Sequence, residues 1–126
     1  MRKPVRRLLQ LVVLMCALLT LLCCDAILRL FPNEIPIADA GPDQSGVPVG
    51  NTVYLDGSAS RDPDGDKLQY TWFFWDAPAT SNAALYDYQT ARPHFTPDQT
   101  GTYVFILVVS DGLEESKPDT VEITTS

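Results

Sequence analysis

Four aspartates lie within eleven residues of this 126-residue chain, in the stretch DGSASRDPDGD at 56–66. Three of them, Asp62, Asp64 and Asp66, alternate along the chain. This pattern is compatible with a metal site, a catalytic carboxylate cluster or a polar turn. An EF-hand calcium loop needs glycine at position 6 and a bidentate acid at position 12. Counted from Asp62, Gly65 falls at position 4 and Phe73 at position 12, so the stretch is not an EF-hand.

Catalysis is a poor interpretation of the same residues. Hydrolysis by two carboxylates needs side chains whose pKa values are pushed apart, normally in a cleft, and a solvent-exposed turn offers none. His94 is the single histidine and lies between two prolines in RPHFTP. Any zinc site or Ser-His-Asp arrangement beyond the N-terminal segment would depend on it. We therefore predict that the chain is not an enzyme and expect His94 to be a packing or surface residue.

The acidic charge is concentrated in the C-terminal three quarters of the chain. The formal net charge is −7, and residues 1–31 hold five bases and one acid. Residues 32–126 therefore hold four bases and fifteen acids, a balance of −11. Such a surface repels phosphate backbones, which argues against nucleic acid as a partner. It suits divalent cations or basic partners, although it is also a common way to keep an extracellular domain soluble.

The N-terminal residues have the composition of an export signal. Residues 1–7 are basic, and residues 8–24 are apolar apart from Gln10 and Thr20. Since the basic flank of such a segment stays in the cytoplasm, the domain that follows should lie outside it, at the cell surface or in the periplasm. Residues 1–31 are interpreted first as an uncleaved, helical signal anchor. The alternatives are a lipoprotein signal with lipid on Cys23 or Cys24, and a cleaved peptide of a secreted protein.

The remaining residues predict an all-β domain at 37–126, preceded by a proline-containing stalk at 32–36. Short runs rich in β-branched and aromatic residues alternate with Gly, Pro, Asn and Asp clusters, as is typical of β-sandwiches. No cysteine occurs after residue 24, so no disulfide can stabilise this domain. We predict an immunoglobulin-like antiparallel β-sandwich of about seven strands, at 37–40, 52–56, 68–75, 84–88, 93–96, 102–110 and 120–125.

Side chains alternate across a strand, so sequence parity assigns them to faces. The predicted core face carries Leu68, Tyr70, Trp72 and Phe74 on one long strand, Tyr103, Phe105, Leu107 and Val109 on the other, and Val53, Leu55, Val121 and Ile123. A core tryptophan facing a strand that begins with tyrosine is typical of immunoglobulin-like domains, and GTY at 101–103 fits a tyrosine corner.

The opposite face of the two long strands is also apolar, although the outer face of a sheet in a two-layer sandwich is normally exposed to solvent. We call these five residues the apolar patch, a candidate partner-binding surface: Phe73, Trp75, Val104, Ile106 and Val108. Trp75 is its expected hot spot, because aromatic side chains dominate such sites. The alternative is that residues 76–92 fold back and cover the patch.

Four segments together resemble the PKD (polycystic kidney disease) repeat, in the branch shared with receptor-for-egg-jelly-type ectodomains. They are ADAGPDQ (38–44), GNTVYLDGSASRDPDGDKLQYTW (50–72), PHFTPDQTGTYVFILVVSDG (93–112) and DTVEITT (119–125). The resemblance implies an immunoglobulin-like sandwich with a non-catalytic role in spacing, adhesion, or protein or carbohydrate contact. Many PKD repeats continue the tryptophan strand as W-D-F-G-D-G. This chain reads TWFFWDAPATSN, so its hairpin must differ.

The resemblance also implies a calcium site, because some PKD domains bind calcium through aspartates of this loop. The matching positions are Asp62, Asp64 and Asp111 and, more loosely, Asp39. Calcium takes several oxygen ligands, and carboxylates that converge repel one another unless a cation neutralises them. The alternative is a turn without metal, in which aspartate and serine side chains cap the backbone. No cofactor is required by the prediction, and calcium is the one candidate.

The sequence therefore predicts a membrane-tethered, extracytoplasmic PKD-type module that binds protein or carbohydrate, or acts as a spacer, without catalysis. A second interpretation is an accessory module of an extracellular hydrolase or adhesion system, stabilised by calcium. Exposed aromatic side chains in a flat row, together with glycan binding, would favour that second interpretation.

Overall fold

The structure is a computed structural model that describes residues 32–126. The predictions for residues 1–31, namely the apolar helix, the anchor or signal peptide and the lipidation of Cys23 or Cys24, lie outside the described residues. Asn33–Ser126 form one compact unit. Within residues 32–126, no helix has the length and apolar character needed to cross a membrane.

Seven strands form two sheets in the described part of the chain. They are β1 (Gln44–Val47), β2 (Val53–Tyr54), β3 (Gln69–Asp76), β4 (Leu85–Tyr86), β5 (His94–Phe95), β6 (Thr102–Ser110) and β7 (Asp119–Thr125). The larger sheet has the order β1-β7-β6-β3 and the smaller sheet the order β2-β5-β4. The prediction of an all-β, two-sheet, immunoglobulin-like domain is confirmed.

The first strand differs from the prediction at 37–40. Ile37 makes only an isolated bridge to Arg61, and the backbone N–H of Ala40 donates to Asp119 Oδ2 at 2.7 Å instead of joining a sheet. The first strand begins at Gln44 and pairs with β7 in parallel, so the larger sheet is mixed rather than wholly antiparallel. The physical reason is the turn at Gly41, whose φ of 79° ends the extended segment.

Most of the core is the one that alternation along the strands predicts. Tyr103, Phe105, Leu107 and Val109 are fully buried, and Trp72 is 2% exposed. Val53, Leu55, Val121 and Ile123 are buried with them, while Leu68, Tyr70 and Phe74 pack against the cluster from its edge. The fully buried Phe95 of β5 completes the aromatic centre, with its ring 4.6 Å from that of Phe105. Each such large apolar side chain stabilises the fold by about 1.5–3 kcal/mol.

The tyrosine corner is confirmed. The hydroxyl of Tyr103 accepts a hydrogen bond from the backbone N–H of Gln99 at 3.0 Å and lies 3.0 Å from its carbonyl oxygen. It is also 3.2 Å from Asp98 Oδ1. These contacts satisfy a polar group inside the apolar core, which would otherwise be costly to bury.

Candidate functional site

The aspartate loop between β2 and β3 is built around Asp62. Its Oδ1 accepts hydrogen bonds from the backbone N–H groups of Asp64 at 2.8 Å and Asp66 at 3.1 Å. The N–H of Gly65 donates to the carbonyl of Asp62 at 3.2 Å, with Gly65 at a φ of 80°. The loop is therefore a tight turn in which the side chain of Asp62 caps backbone N–H groups that follow it, as Asp-Pro and Asp-Gly sequences favour.

The same turn brings three carboxylates together. One oxygen each from Asp62, Asp64 and Asp66 lies within 4.8 Å of the others. The remaining oxygen of Asp62, Oδ2, is inaccessible to solvent and has no hydrogen-bond partner among the described residues. An ionised oxygen in that position is costly unless a positive charge neutralises it. Since calcium prefers carboxylate oxygens, these donors fit a calcium ion.

The other two aspartates of the predicted calcium set have other partners. Oδ1 of Asp111 accepts from the N–H groups of Glu114 and Leu113, both at 2.7 Å. Its Oδ2 accepts from Asn33 Nδ2 at 2.8 Å. These bonds, above all the one from Glu114, hold the pKa of Asp111 below its ordinary value. Asp39 caps its own turn by accepting from the N–H of Gly41 at 3.0 Å.

Within residues 32–126, the carboxylate cluster thus contains Asp62 and Asp64 of the predicted set and adds Asp66. Asp39 and Asp111 are not members of it. The loop and Asp111 are linked by the residues that lead into the domain, because the N–H of Glu34 donates to Asp64 Oδ2 at 2.7 Å while neighbouring Asn33 contacts Asp111. The predicted stalk residues therefore pack against the domain from Asn33 onward.

The apolar patch lies on the outer face of β3 and β6. Phe73 pairs directly with Ile106 across the two strands. Phe73 is 49% exposed and Trp75 is 71% exposed. The alternation expected beyond Phe73 is broken, because a register shift between Phe74 and Asp76 leaves Trp75 at a bulge. Val104 and Val108 are half-buried, as is Ile106.

Residues 76–92 do not cover Phe73 and Trp75. This segment crosses to the other sheet, where β4 pairs with β5. On the way, the carbonyl of Tyr88 accepts from the N–H of Trp72 at 2.9 Å. The alternative that residues 76–92 bury the patch is wrong for its two aromatic residues.

His94 is a partly exposed strand residue, as expected, and it lies between two tyrosines. Its ring centroid is 5.5 Å from that of Tyr54 on β2 and 5.5 Å from that of Tyr86 on β4. Its Nδ1 is 3.4 Å from Asp87 Oδ2. We call Tyr54, His94 and Tyr86 the aromatic row. This row was not predicted from the sequence, although each member is adjacent to a residue of the core or its margin and therefore has outward parity.

Two further aspartates have a lowered pKa and accept hydrogen bonds that hold neighbouring loop residues in place. Hydrogen bonds from Ser58 hold the pKa of Asp56 below its ordinary value, with an added contribution from Arg92, whose guanidinium lies 3.1 Å away. Hydrogen bonds from Ser81 and then the N–H of Asn82 lower the pKa of Asp98. Both groups are ionised at neutral pH, which suits a structural acceptor and not a general acid.

Two packed sheets, a core tryptophan and a tyrosine corner, with no cysteine among the described residues, define an immunoglobulin-like sandwich. The sequence profile described as "K319L-like, PKD domain" matches residues 40–125. The chain therefore belongs to this family. PKD domains are in general non-catalytic modules.

The relatives are much longer proteins. The chain is 32% identical over 89 residues to the mouse "Dyslexia-associated protein KIAA0319 homolog", a match that covers 71% of the chain and 8% of the mouse protein. The rat protein of the same name gives the same identity and coverage. The chain thus corresponds to 8% of the length of these relatives.

Solved structures show the same fold. The PKD domain of the KIAA 1837 protein is 29% identical with a TM-score of 0.61, and the match covers 76% of this chain and 91% of that domain. The PKD domain of human KIAA0319 has a TM-score of 0.61 at 19% identity, over 75% of this chain and 86% of that domain. At this second identity the likeness concerns the fold alone.

Proposed function

We propose that this domain is a non-catalytic binding module outside the cytoplasm, held at a membrane by its N-terminal segment, and that its apolar patch contacts a partner protein. Membership of the PKD family supports the class of function. The observation that carries the contact surface is the 71% exposure of Trp75, two residues along β3 from the half-exposed Phe73. Exposed aromatic side chains grouped with aliphatic ones usually mark a contact surface.

The border of the apolar patch gives the chemistry of the partner. Val104 pairs with Asp76 on one side and with Glu122 on the other. The patch therefore has an apolar centre with acidic residues at one edge. We expect the partner to present an apolar surface with basic residues beside it, since complementary charge at the edge accelerates association and selects partners.

A photo-crosslinking residue in place of Trp75 should capture one protein when the full chain is made in its own host. The Trp75→Ala variant should lose at least tenfold in affinity for that protein, because truncation of an aromatic hot-spot residue commonly costs about 2 kcal/mol or more. Its melting temperature should stay within a few degrees of the unchanged chain, since substitutions at exposed positions usually change stability by less than about 0.5 kcal/mol.

The matched control places the same crosslinker at Leu113, which is 78% exposed and lies outside the patch. Capture of the same proteins at both positions would mean random contact, and absence of any captured protein at position 75 would reject the patch as a binding surface. Unfolding of Trp75→Ala would show that the side chain supports the fold, and would also remove the proposal.

We also propose that the aspartate loop binds calcium and that calcium stabilises the fold. Support comes from the three carboxylates that converge within 4.8 Å and from the buried, unpartnered Oδ2 of Asp62 within residues 32–126. A cation there would relieve the repulsion among Asp62, Asp64 and Asp66 and would compensate the buried oxygen. The ligand set proposed here is the loop itself, with Asp66 in place of Asp39 and Asp111.

Calcium should raise the melting temperature of residues 32–126, and a chelator should reverse the rise. A ligand that binds only the folded state adds about 2.7 kcal/mol at one hundred times its dissociation constant. For a domain of this size, each kcal/mol corresponds to about 4–8 °C. The measurement is a thermal melt followed by circular dichroism, first with calcium and then with excess chelator.

Two aspartate variants identify the ligand set. Asp66→Asn should abolish most of the calcium response, whereas Asp39→Asn should keep it, because Asp39 lies outside the cluster of Asp62, Asp64 and Asp66. The reverse pattern would favour the set implied by family resemblance. An unchanged melting temperature in calcium would eliminate the metal site altogether.

A further inference from the structure

We propose that the end of the domain that carries the aspartate loop binds the surface of an anionic phospholipid membrane, with calcium linking the loop to lipid phosphate. The inference rests on the calcium site proposed above and adds the ligand on the other side of the ion. It differs from the protein contact at the apolar patch, because it concerns the loops at one end of the sandwich and a different class of partner.

A calcium ion held by the aspartate loop would keep open coordination positions. Calcium takes about 6–8 oxygen ligands, and one oxygen each from Asp62, Asp64 and Asp66 leaves about three to five positions unfilled. Asp64 and Asp66 are exposed, so the ion is accessible from solvent. Phosphate oxygens are hard donors, which suit calcium. An ion held in this way can therefore bind the loop and a phosphate at the same time.

Two exposed isoleucines lie beside the aspartate loop. Ile35 is 56% exposed and follows Glu34, whose N–H donates to Asp64 Oδ2 at 2.7 Å. Ile37 is 42% exposed and forms a β-bridge with Arg61, near the start of the acidic cluster. Backbone contacts therefore hold the segment with both isoleucines against the loop that supplies the carboxylates.

The loop between β6 and β7 adds a third apolar side chain at the same end. Leu113 is 78% exposed, and its N–H donates to Asp111 Oδ1 at 2.7 Å. Asp111 in turn accepts from Asn33, the residue before Glu34. The tip of this loop is therefore fixed to the same entering segment as the two isoleucines. Apolar side chains beside a charged site suit a lipid surface, where they enter the headgroup region while the charges bind the headgroups.

The charge of this end explains why the contact needs calcium. Residues 33–38, 61–67 and 111–119 hold eight acids and three bases. The negative surface of anionic lipids repels an end with this balance until cations compensate the acids. Calcium therefore acts twice, since it compensates the converging carboxylates and also bonds to the lipid phosphate.

The point at which the chain enters the domain favours a membrane over a soluble phosphate ligand. Asn33 and Glu34 contact this end, and only seven residues, 25–31, separate residue 32 from the apolar run at 8–24. On the membrane attachment proposed above, so short a connection gives an effective concentration on the order of mM, so that a weak contact suffices. A soluble phosphate group would leave the three apolar side chains in water.

The test is cosedimentation of residues 32–126 with phospholipid vesicles. Vesicles of phosphatidylcholine mixed with phosphatidylglycerol should bind the domain in calcium and release it in excess chelator. Vesicles of phosphatidylcholine alone, at the same calcium concentration, should bind it about tenfold more weakly, because their surface carries no net negative charge. The thermal melt in calcium without vesicles reports the ion site separately.

Leu113→Ser should weaken binding to the anionic vesicles by about three- to tenfold, because part of the gain from burying a leucine side chain is lost. Its rise in melting temperature with calcium should remain, since Leu113 contributes only a backbone N–H to Asp111. Val49→Ser is the matched control. Val49 is 40% exposed in the turn that precedes β2, whereas the aspartate loop follows β2, and this variant should bind vesicles as the unchanged domain does.

A rise in melting temperature with calcium but no binding to vesicles would overturn the lipid contact and leave the calcium site standing. No response to calcium in either measurement would overturn both. Equal binding to the two kinds of vesicle would also reject the proposal, as would equal binding by folded Leu113→Ser and the unchanged domain. A calcium-dependent dimer without vesicle binding, detected by size-exclusion chromatography, would assign the open side of the ion to a second copy instead.

Discussion

Replacing Gly41 by alanine should lower the free energy of unfolding by about 2–5 kcal/mol. An alanine Cβ at this position would lie 2.7 Å from the backbone carbonyl oxygen of Asp56, closer than van der Waals contact allows. Relieving such an overlap in a packed structure costs about 1–3 kcal/mol. The φ of Gly41 is 79°, and a left-handed alanine adds about 1–2 kcal/mol. Urea unfolding followed by tryptophan fluorescence measures the loss.

Gly65→Ala separates the two contributions. Gly65 has a φ of 80°, almost the same as that of Gly41, but nothing lies within 4 Å of its virtual Cβ. Gly65→Ala should therefore lower the free energy of unfolding only by the cost of a left-handed alanine, about 1–2 kcal/mol. Both variants are compared in chelator, so that calcium cannot contribute at the aspartate loop. Equal losses in the two would mean that the close approach to Asp56 relaxes without cost.

The close approach at Gly41 has a structural purpose. It lets the segment that enters the domain run against the residues that begin the aspartate loop. Beside it, Ser60 Oγ lies 3.0 Å from the N–H of Asp39 and 3.3 Å from its carbonyl. Any side chain at position 41 would push this segment away from its partners on both sides. We therefore expect Gly41→Ala to loosen the contacts of Asn33 and Glu34 as well.

Alternation along the strands predicted most of the core, although not Ala40 or Phe95. Tyr103, Phe105, Leu107 and Val109 follow the period of two without interruption, and all four are fully buried. The tyrosine corner could be predicted from the same strand because Tyr103 and its partner Gln99 are only four residues apart in sequence. Such features follow from side-chain direction alone and do not depend on distant contacts.

Features decided by distant partners could not be predicted in this way. Asn33 and Asp111 are 78 residues apart in sequence and meet through one hydrogen bond. Asp111 therefore holds the entering segment instead of joining the cluster of Asp62 and Asp64 among the described residues. Likewise, the bulge at Trp75 appears only when β3 is aligned with β6.

The aromatic row required the pairing of three separate strands. Tyr54, Tyr86 and His94 are spread over forty-one positions of the sequence, from 54 to 94, and β2, β4 and β5 have two residues each. Strands so short carry little periodicity of their own. Their outward parity could be read from the adjacent core residues, but their arrangement in line depends on the register of the sheet.

Tyr103→Phe should lower the free energy of unfolding by about 1–3 kcal/mol, the net contribution of a buried hydroxyl that bonds to the backbone of Gln99 and to the ionised Asp98. The ring would remain in place, since Tyr103 is fully buried among Phe74, Phe95 and Phe105. The hydroxyl would be lost from Asp98 Oδ1 and from the N–H and the carbonyl of Gln99, although this carbonyl still accepts from Thr125 Oγ1. A loss of 2 kcal/mol corresponds to a fall of roughly 8–16 °C in melting temperature for a domain of this size.

Tyr88→Phe makes the same chemical change at a residue that is 50% exposed, and it should alter stability by less than about 0.5 kcal/mol. The difference between the two variants measures the corner hydroxyl without the general effect of replacing tyrosine. If Tyr103→Phe is as stable as Tyr88→Phe, water must replace the hydroxyl at Gln99, and the corner would be a packing feature only. If it is less stable by the expected amount, one buried hydroxyl fixes the entry into β6 in a domain whose described residues contain no cysteine.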